Sequence, residues 1–207
     1  MARQPRIDLG DYVYHVINRS NGRAQIFFND EDYQDFEHLL NEMAETYEMR
    51  ILGYVLMPNH WHLLLYPRQD KDLAKALQWL GTTHARRHHS RKGTVGGGHL
   101  YQGRYKSFLI QEDLHLLTVL KYIERNPVRA KLCTRTELWS WGSAYRRKNK
   151  LKKPKLSALP IDLPRDYTEW VNIPESAEQL KSIRQSVNRG VPYGEERWIK
   201  RWNNIKQ

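Results

Sequence analysis

Residues 49–66, MRILGYVLMPNHWHLLLY, are two strand-like runs separated by only two residues. A connection that short joins adjacent antiparallel strands, because a parallel return needs a crossover of a dozen or more residues. Pro58 presets φ at the first turn position and Asn59 tolerates a left-handed second one, so the pair predicts a hairpin between strands 49–57 and 60–66. On the returning strand Trp61, Leu63 and Leu65 point one way, and Leu64 points the other with His60 and His62. Both faces of such a sheet must be covered.

The flanking segments supply the cover. Residues 11–18, DYVYHVIN, read as a strand and RSNGR as a turn. Asp30 is the expected N-cap of a helix that turns Tyr33, Phe36, Leu40, Met43 and Tyr47 inward. Asp70 to His89 predicts a second helix with Leu73, Leu77, Leu80 and His84 in register. After the loop GTVGGG, residues 104–110 form a fourth strand and 111–127 a third helix ending near Pro127. The order predicts an α+β fold: a ferredoxin-like antiparallel sheet (βαββαβ) with an additional C-terminal helix lying over the His60 and His62 face. The basic run YRRKNKLKKPK then suggests a linker, and order resumes in a mostly helical tail, with SAEQLKSIRQSV and RWIKRW as its periodic segments. The expected division is a domain over 1–144, a basic linker over 145–157 and a helical extension over 158–207.

The formal charge of +11 calls for a polyanionic partner, nucleic acid or an acidic membrane surface. No apolar run reaches 18 residues and the N-terminus lacks a secretory apolar stretch. The single cysteine, Cys133, excludes an internal disulfide and a cysteine-built metal cage. A cytoplasmic, nucleoid-associated protein fits these features, with nucleic acid as the partner.

Two histidines at i and i+2 of a strand lie on one face, roughly 6.5–7 Å apart at Cα, and can converge on one cation. They can equally be half-buried and hydrogen-bonded with no metal. On the last helix His115, Val119, Tyr122 and Asn126 share one face, while Leu116, Leu117, Leu120 and Ile123 share another that can pack down. An amide oxygen suits a hard cation such as Mg²⁺ or Mn²⁺. Tyr122 can also be read as an interfacial aromatic, and Asn126 as a helix-end residue before Pro127.

MPN-His60-Trp61-His62 followed by YIERN resembles the HUH single-tyrosine transposases of small bacterial insertion sequences. GHLYQGRYKSFLI, YIERNPVRAKL, WSWGSAYR and SVNRGVPYGEERW resemble, more narrowly, the REP-associated tyrosine transposases. The resemblance implies that His60 and His62 bind a divalent cation, Mg²⁺ or Mn²⁺, that Asn126 completes the site and that Tyr122 is the nucleophile. It implies a 5′-phosphotyrosine intermediate on single-stranded DNA folded into imperfect hairpins, no nucleotide cofactor, and a monomer in preference to a dimer. A free tyrosine is only about one part in a thousand phenolate at pH 7, a penalty of roughly 4 kcal/mol, which a cation on the scissile phosphate would help offset. Arg19, Arg23, Arg86, Arg87, Arg104, Lys106, Arg146 and Arg147 are the candidate DNA contacts. The alternatives are a binding module that recognises structured nucleic acid without cutting it, and a hydrolase using water.

Overall fold

The computed structural model describes residues 7–205, with side chains through Trp202. Four strands, β1 (Val13–Arg19), β2 (Arg50–Met57), β3 (His60–Tyr66) and β4 (Lys106–Ile110), form one sheet in the order β2-β3-β1-β4. Every neighbouring pair is antiparallel. With α1 (Asp30–Thr46) after β1 and α2 (Asp72–Lys92) after β3, this is the expected βαββαβ topology.

The alternation along β3 sorts its side chains between two cores. Trp61, Leu63 and Leu65 join Tyr14 and Val16 beneath Tyr33, Phe36, Leu40 and Met43 of α1 and Leu73, Leu77 and Leu80 of α2. Leu64 joins Val13, Leu52, Val55, Phe108 and Ile110 beneath α3 (Leu114–Glu124), whose Leu116, Val119, Leu120 and Ile123 close the second core. Burial on both faces explains why the strands are almost continuously apolar. The approach of α3 depends on Gly53, where an added Cβ would sit 2.6 Å from Leu120 Cδ1.

Element ends differ from expectation for local reasons. The N-cap of α1 is Asn29, not Asp30: Asn29 is extended and its side chain accepts from Asp32 N. Helix α2 starts at Asp72 because Asp70 is engaged by Gly10 N at 2.8 Å, and it runs on to Gly93, whose left-handed φ of 64° ends it. Helix α3 is shorter at both ends, capped by Asp113 and broken at Arg125, after which α4 (Asn126–Arg129) carries Pro127. Asn59 is not left-handed. Its oxygen meets His60 Nδ1 and its amide donates to Arg23 O, contacts that hold the turn in another conformation.

The remainder wraps the sheet. The basic run begins inside α5 (Ser143–Lys148). Leu159, Ile161, Leu163 and Tyr167, with Leu180, Ile183 and Val187 of α7 (Ala177–Arg189), pack on the α3 core. Tyr193 exchanges backbone bonds with Leu109 and Gln111 beside β4. After α6 (Tyr167–Asn172) and α7, α8 (Glu196–Ile205) places Trp198 and Trp202 on the other core, Trp202 edge-on to Tyr12 at 4.8 Å.

Candidate active site

Sheet register assembles the first half of the site. His60 opens β3 opposite Arg19 of β1, and His62 lies opposite Ile17. The two imidazole centres are 5.2 Å apart with planes at 77°. Each ring meets the protein through Nδ1: His60 Nδ1 is 2.7 Å from Asn59 Oδ1, and His62 Nδ1 is 2.8 Å from His15 Nε2. An amide oxygen only accepts, so His60 carries its proton on Nδ1 and keeps the Nε2 lone pair.

The donor set fits a cation. Two imidazoles sharing an ion through Nε2, each at about 2.0–2.2 Å, have ring centres about 4.5–5.4 Å apart for ligand angles of about 90–109°. Burial, reinforced by Arg19, lowers His60 to about 4, and burial together with neighbouring His15 and His60 takes His62 well below its ordinary value. Both rings are therefore neutral at pH 7, the form that ligates. Among the described residues no group of three or more His, Cys, Asp or Glu side chains forms a metal cage. A cation here would draw its other ligands from amide, water or phosphate oxygens.

Helix α3 supplies the second half. Tyr122 stands edge-on to His62 at 6.1 Å between centres and to His15 at 6.4 Å. Asn126 lies past the helix break, and its Nδ2 donates to the carbonyls of Tyr122 at 3.1 Å and Ile123 at 3.2 Å. Its oxygen is the donor left for a cation.

Sequence reasoning missed Arg129 and Glu175. The Arg129 guanidinium lies 4.3 Å from the Tyr122 ring centre and donates to the Tyr122 carbonyl. Glu175, from the tail, accepts from Arg129 Nη1 at 2.6 Å and from Arg125 Nε at 3.0 Å. The only available signal was spacing, since Arg129 follows Tyr122 by two helical turns; nothing in the sequence pointed to Glu175. His15 was also missed. It is fully buried, and its Nδ1 has no hydrogen-bond partner, a cost of about 1–3 kcal/mol.

The basic candidates divide by environment. Arg19, Arg104 and Lys106 line a cleft of about 340 Å³ with Asn18, Gln102 and Gly103. It lies where β1 and β4 pair only as far as Ile17–Lys106, the flanking segments meeting again outside the two strands at a Ser20–Tyr101 bridge. Arg23 and Arg86 are exposed. Arg87 forms surface pairs with Asp35 and Glu42. Arg146 and Arg147 are placed differently. Arg146 pairs with buried Glu37 and donates to Tyr54 Oη, and Arg147 pairs with buried Glu124 and donates to Leu52 O. These two guanidinium groups hold internal carboxylates together rather than face solvent.

The family model described as Transposase IS200 like matches residues 9–126. This chain belongs to that family. The match takes in His60, His62, Tyr122 and Asn126 and ends before Arg129 and the tail. A Haemophilus influenzae protein provisionally named a REP-associated tyrosine transposase is 25% identical over 146 residues, 66% of this chain and 81% of that protein. The solved structure of a REP-associated tyrosine transposase bound to a REP hairpin aligns with a TM-score of 0.61 at 17% identity, covering 79% of this chain and 95% of the other. That likeness shows a shared fold. Among the described residues no helix is long and apolar enough to cross a membrane.

Proposed function

We propose that this transposase is a metal-dependent, site-specific single-stranded DNA endonuclease and strand transferase acting on hairpin, REP-like DNA. The observation that carries the reading is the placement of Tyr122 edge-on to His62 at 6.1 Å, with the protein contacts of both His60 and His62 made through Nδ1. Bound Mg²⁺ or Mn²⁺ would supply Lewis-acid polarisation of the scissile phosphate. His60 and His62 would hold it, with the Asn126 oxygen completing the set. Tyr122 Oη attacks phosphorus, the P–O3′ bond breaks, and a 5′-phosphotyrosine forms. The leaving 3′ oxygen takes up a proton as the phenol gives one up. The ester bond is conserved, so a 3′-hydroxyl of another strand can reverse the step without ATP. Arg129 holds the Tyr122 ring and carbonyl through the transfer.

Arg19, Arg23, Arg86, Arg87, Arg104 and Lys106 are the proposed phosphate and base contacts. Arg19 adds a specific reason: its Nε is buried without a partner, beside the cleft and opposite His60. The reading includes work on DNA in the cytoplasm and nucleoid, and a monomer, because Tyr122 and His62 meet within one chain and the tail packs into the α3 core. A hairpin substrate with Mn²⁺ should yield an adduct that survives denaturation and maps to the peptide carrying Tyr122. Tyr122→Phe should lose adduct and cleavage together while keeping hairpin affinity. Cleavage surviving in Tyr122→Phe would point to a water-using hydrolase, and no cleavage by the unaltered chain to a binding module.

A further inference from the structure

The β1 strand places a histidine where packing would favour an apolar residue. Val13, His15 and Ile17 point to one face, and all three are buried. The His15 ring lies 4.8 Å from Phe108, 6.4 Å from Tyr122 and 5.0 Å from His62, nearly parallel to the last at 22°. Its single polar contact is Nε2 to His62 Nδ1 at 2.8 Å, while its Nδ1 has no partner. A leucine or phenylalanine would fill this position without an unsatisfied nitrogen, so the imidazole calls for a reason other than packing.

The hydrogen bond can be written in two directions. If His15 donates, the proton of neutral His62 must sit on Nε2, and that ring has no lone pair for a cation. If His62 donates from Nδ1, its Nε2 is free and His15 carries its own proton on Nδ1. Both arrangements are neutral, and passing between them takes up or releases no proton. Ligating histidines commonly have their second nitrogen fixed in this way by a neighbouring acceptor.

We infer that His15 is a positioning residue for the cation site: its Nε2 accepts the hydrogen bond from His62 Nδ1–H and holds His62 in the tautomer whose Nε2 is open to the metal. His15 does for His62 what Asn59 does for His60. The inference rests on the metal-site reading above and deepens it, because it assigns a residue on another strand to the same cation.

The test uses the full chain without DNA and reads Mn²⁺ affinity by electron paramagnetic resonance. His15→Phe keeps a ring and removes the acceptor; His15→Gln keeps an oxygen that can accept. Phe should weaken Mn²⁺ binding about 10- to 100-fold, and Gln should recover part of that loss. Hairpin binding in EDTA should be equal in all three. Native Mn²⁺ affinity in a folded His15→Phe would overturn the inference while leaving the metal site intact. Should His15→Phe not fold, ¹⁵N resonances of the unaltered chain decide. With Mg²⁺ bound, His62 must be protonated at Nδ1 and bare at Nε2, and the reverse pattern overturns the assignment. Absence of any Mn²⁺ binding by the unaltered chain would remove the metal reading itself, and this inference with it.

Discussion

Glu175 is the position where a single change should do most harm at a distance from the histidines. Its side chain is 1% exposed and accepts from Arg125, 7% exposed, and Arg129, 18% exposed. Arg125 Nη1 also donates to Asn172 O. Glu175→Ala leaves two enclosed guanidinium groups without their anion. Removing one partner of a buried ion pair costs about 3–5 kcal/mol, and two stranded cations argue for the upper half of that range. Against a typical total of about 5–15 kcal/mol the loss is a large fraction. For a chain of this size about 1 kcal/mol moves Tm by roughly 2–4 °C, so the expected fall for about 4–5 kcal/mol is about 8–20 °C. Thermal melts followed by circular dichroism measure it, with Glu42→Gln, which loosens only a surface pair with Arg87, as a control expected to shift little. The triad also braces the Tyr122 ring through Arg129, so cleavage should fall further than the unfolded fraction explains. Replacing Arg125, Arg129 and Glu175 together by apolar residues of similar volume should restore much of the stability and none of the lost cleavage. A Glu175→Ala chain melting within about 2 °C of the parent would refute the account of the triad.

Three further outcomes follow from the same geometry. Burial holds the His84 imidazole at about 3 against an ordinary 6.5, so an unfolded chain takes up a proton that the folded one refuses. Stability is full above about pH 6.5 and falls as pH drops toward 3, by about 1.4 kcal/mol per unit for this residue; urea melts at pH 7, 6 and 5 should show a shallower slope in His84→Gln, and equal slopes would exclude it. Affinity for single-stranded hairpin DNA should fall with salt at a log–log slope near −0.7 per phosphate contacted, with exposed Arg23→Ala or Arg104→Ala each removing about one such increment; a flat salt response would discard the phosphate-contact reading. His60→Ala or His62→Ala should abolish cleavage and spare most hairpin binding, with Asn126→Ala milder because water can replace one oxygen, whereas cleavage by the unaltered chain in EDTA would take the metal out of the mechanism.

What could be read in advance was what short-range rules govern. The hairpin and the shared face of His60 and His62 follow from a two-residue period and a two-residue turn. The sorting of Trp61, Leu63 and Leu65 from Leu64 follows from the same period, and the structure keeps it. Asn126 shows where the rule stops. A helical wheel assumes that the helix continues, and here it breaks at Arg125, so the amide turns back onto the carbonyls of Tyr122 and Ile123. The run from Arg146 had the composition of a solvated arm. Its arginines face inward because Glu37 and Glu124 lie buried on helices far away in sequence, and no local pattern reports that a carboxylate in another element lacks a cation.

The second layer of the site is long-range for the same reason, and this explains its composition. His60 and His62 are two residues apart, but His15, which bonds His62, comes from a strand 47 residues earlier. Tyr122 is followed closely by Arg129, but Glu175, which anchors Arg129, lies 46 residues further on. In both cases a residue that can act is visible from its neighbours, and the residue that orients it is visible only once strand register or tail docking has been set. The docking is no incidental cover. Leu116, Leu120 and Ile123 bury one side of α3 against the sheet, and Ile183 from α7 joins that same core, while Arg125 and Arg129 are left enclosed and charged. An apolar tail alone would have made those charges costly. A tail bearing a carboxylate at 175 resolves them and, through Arg129, ties its own docking to the position of the tyrosine.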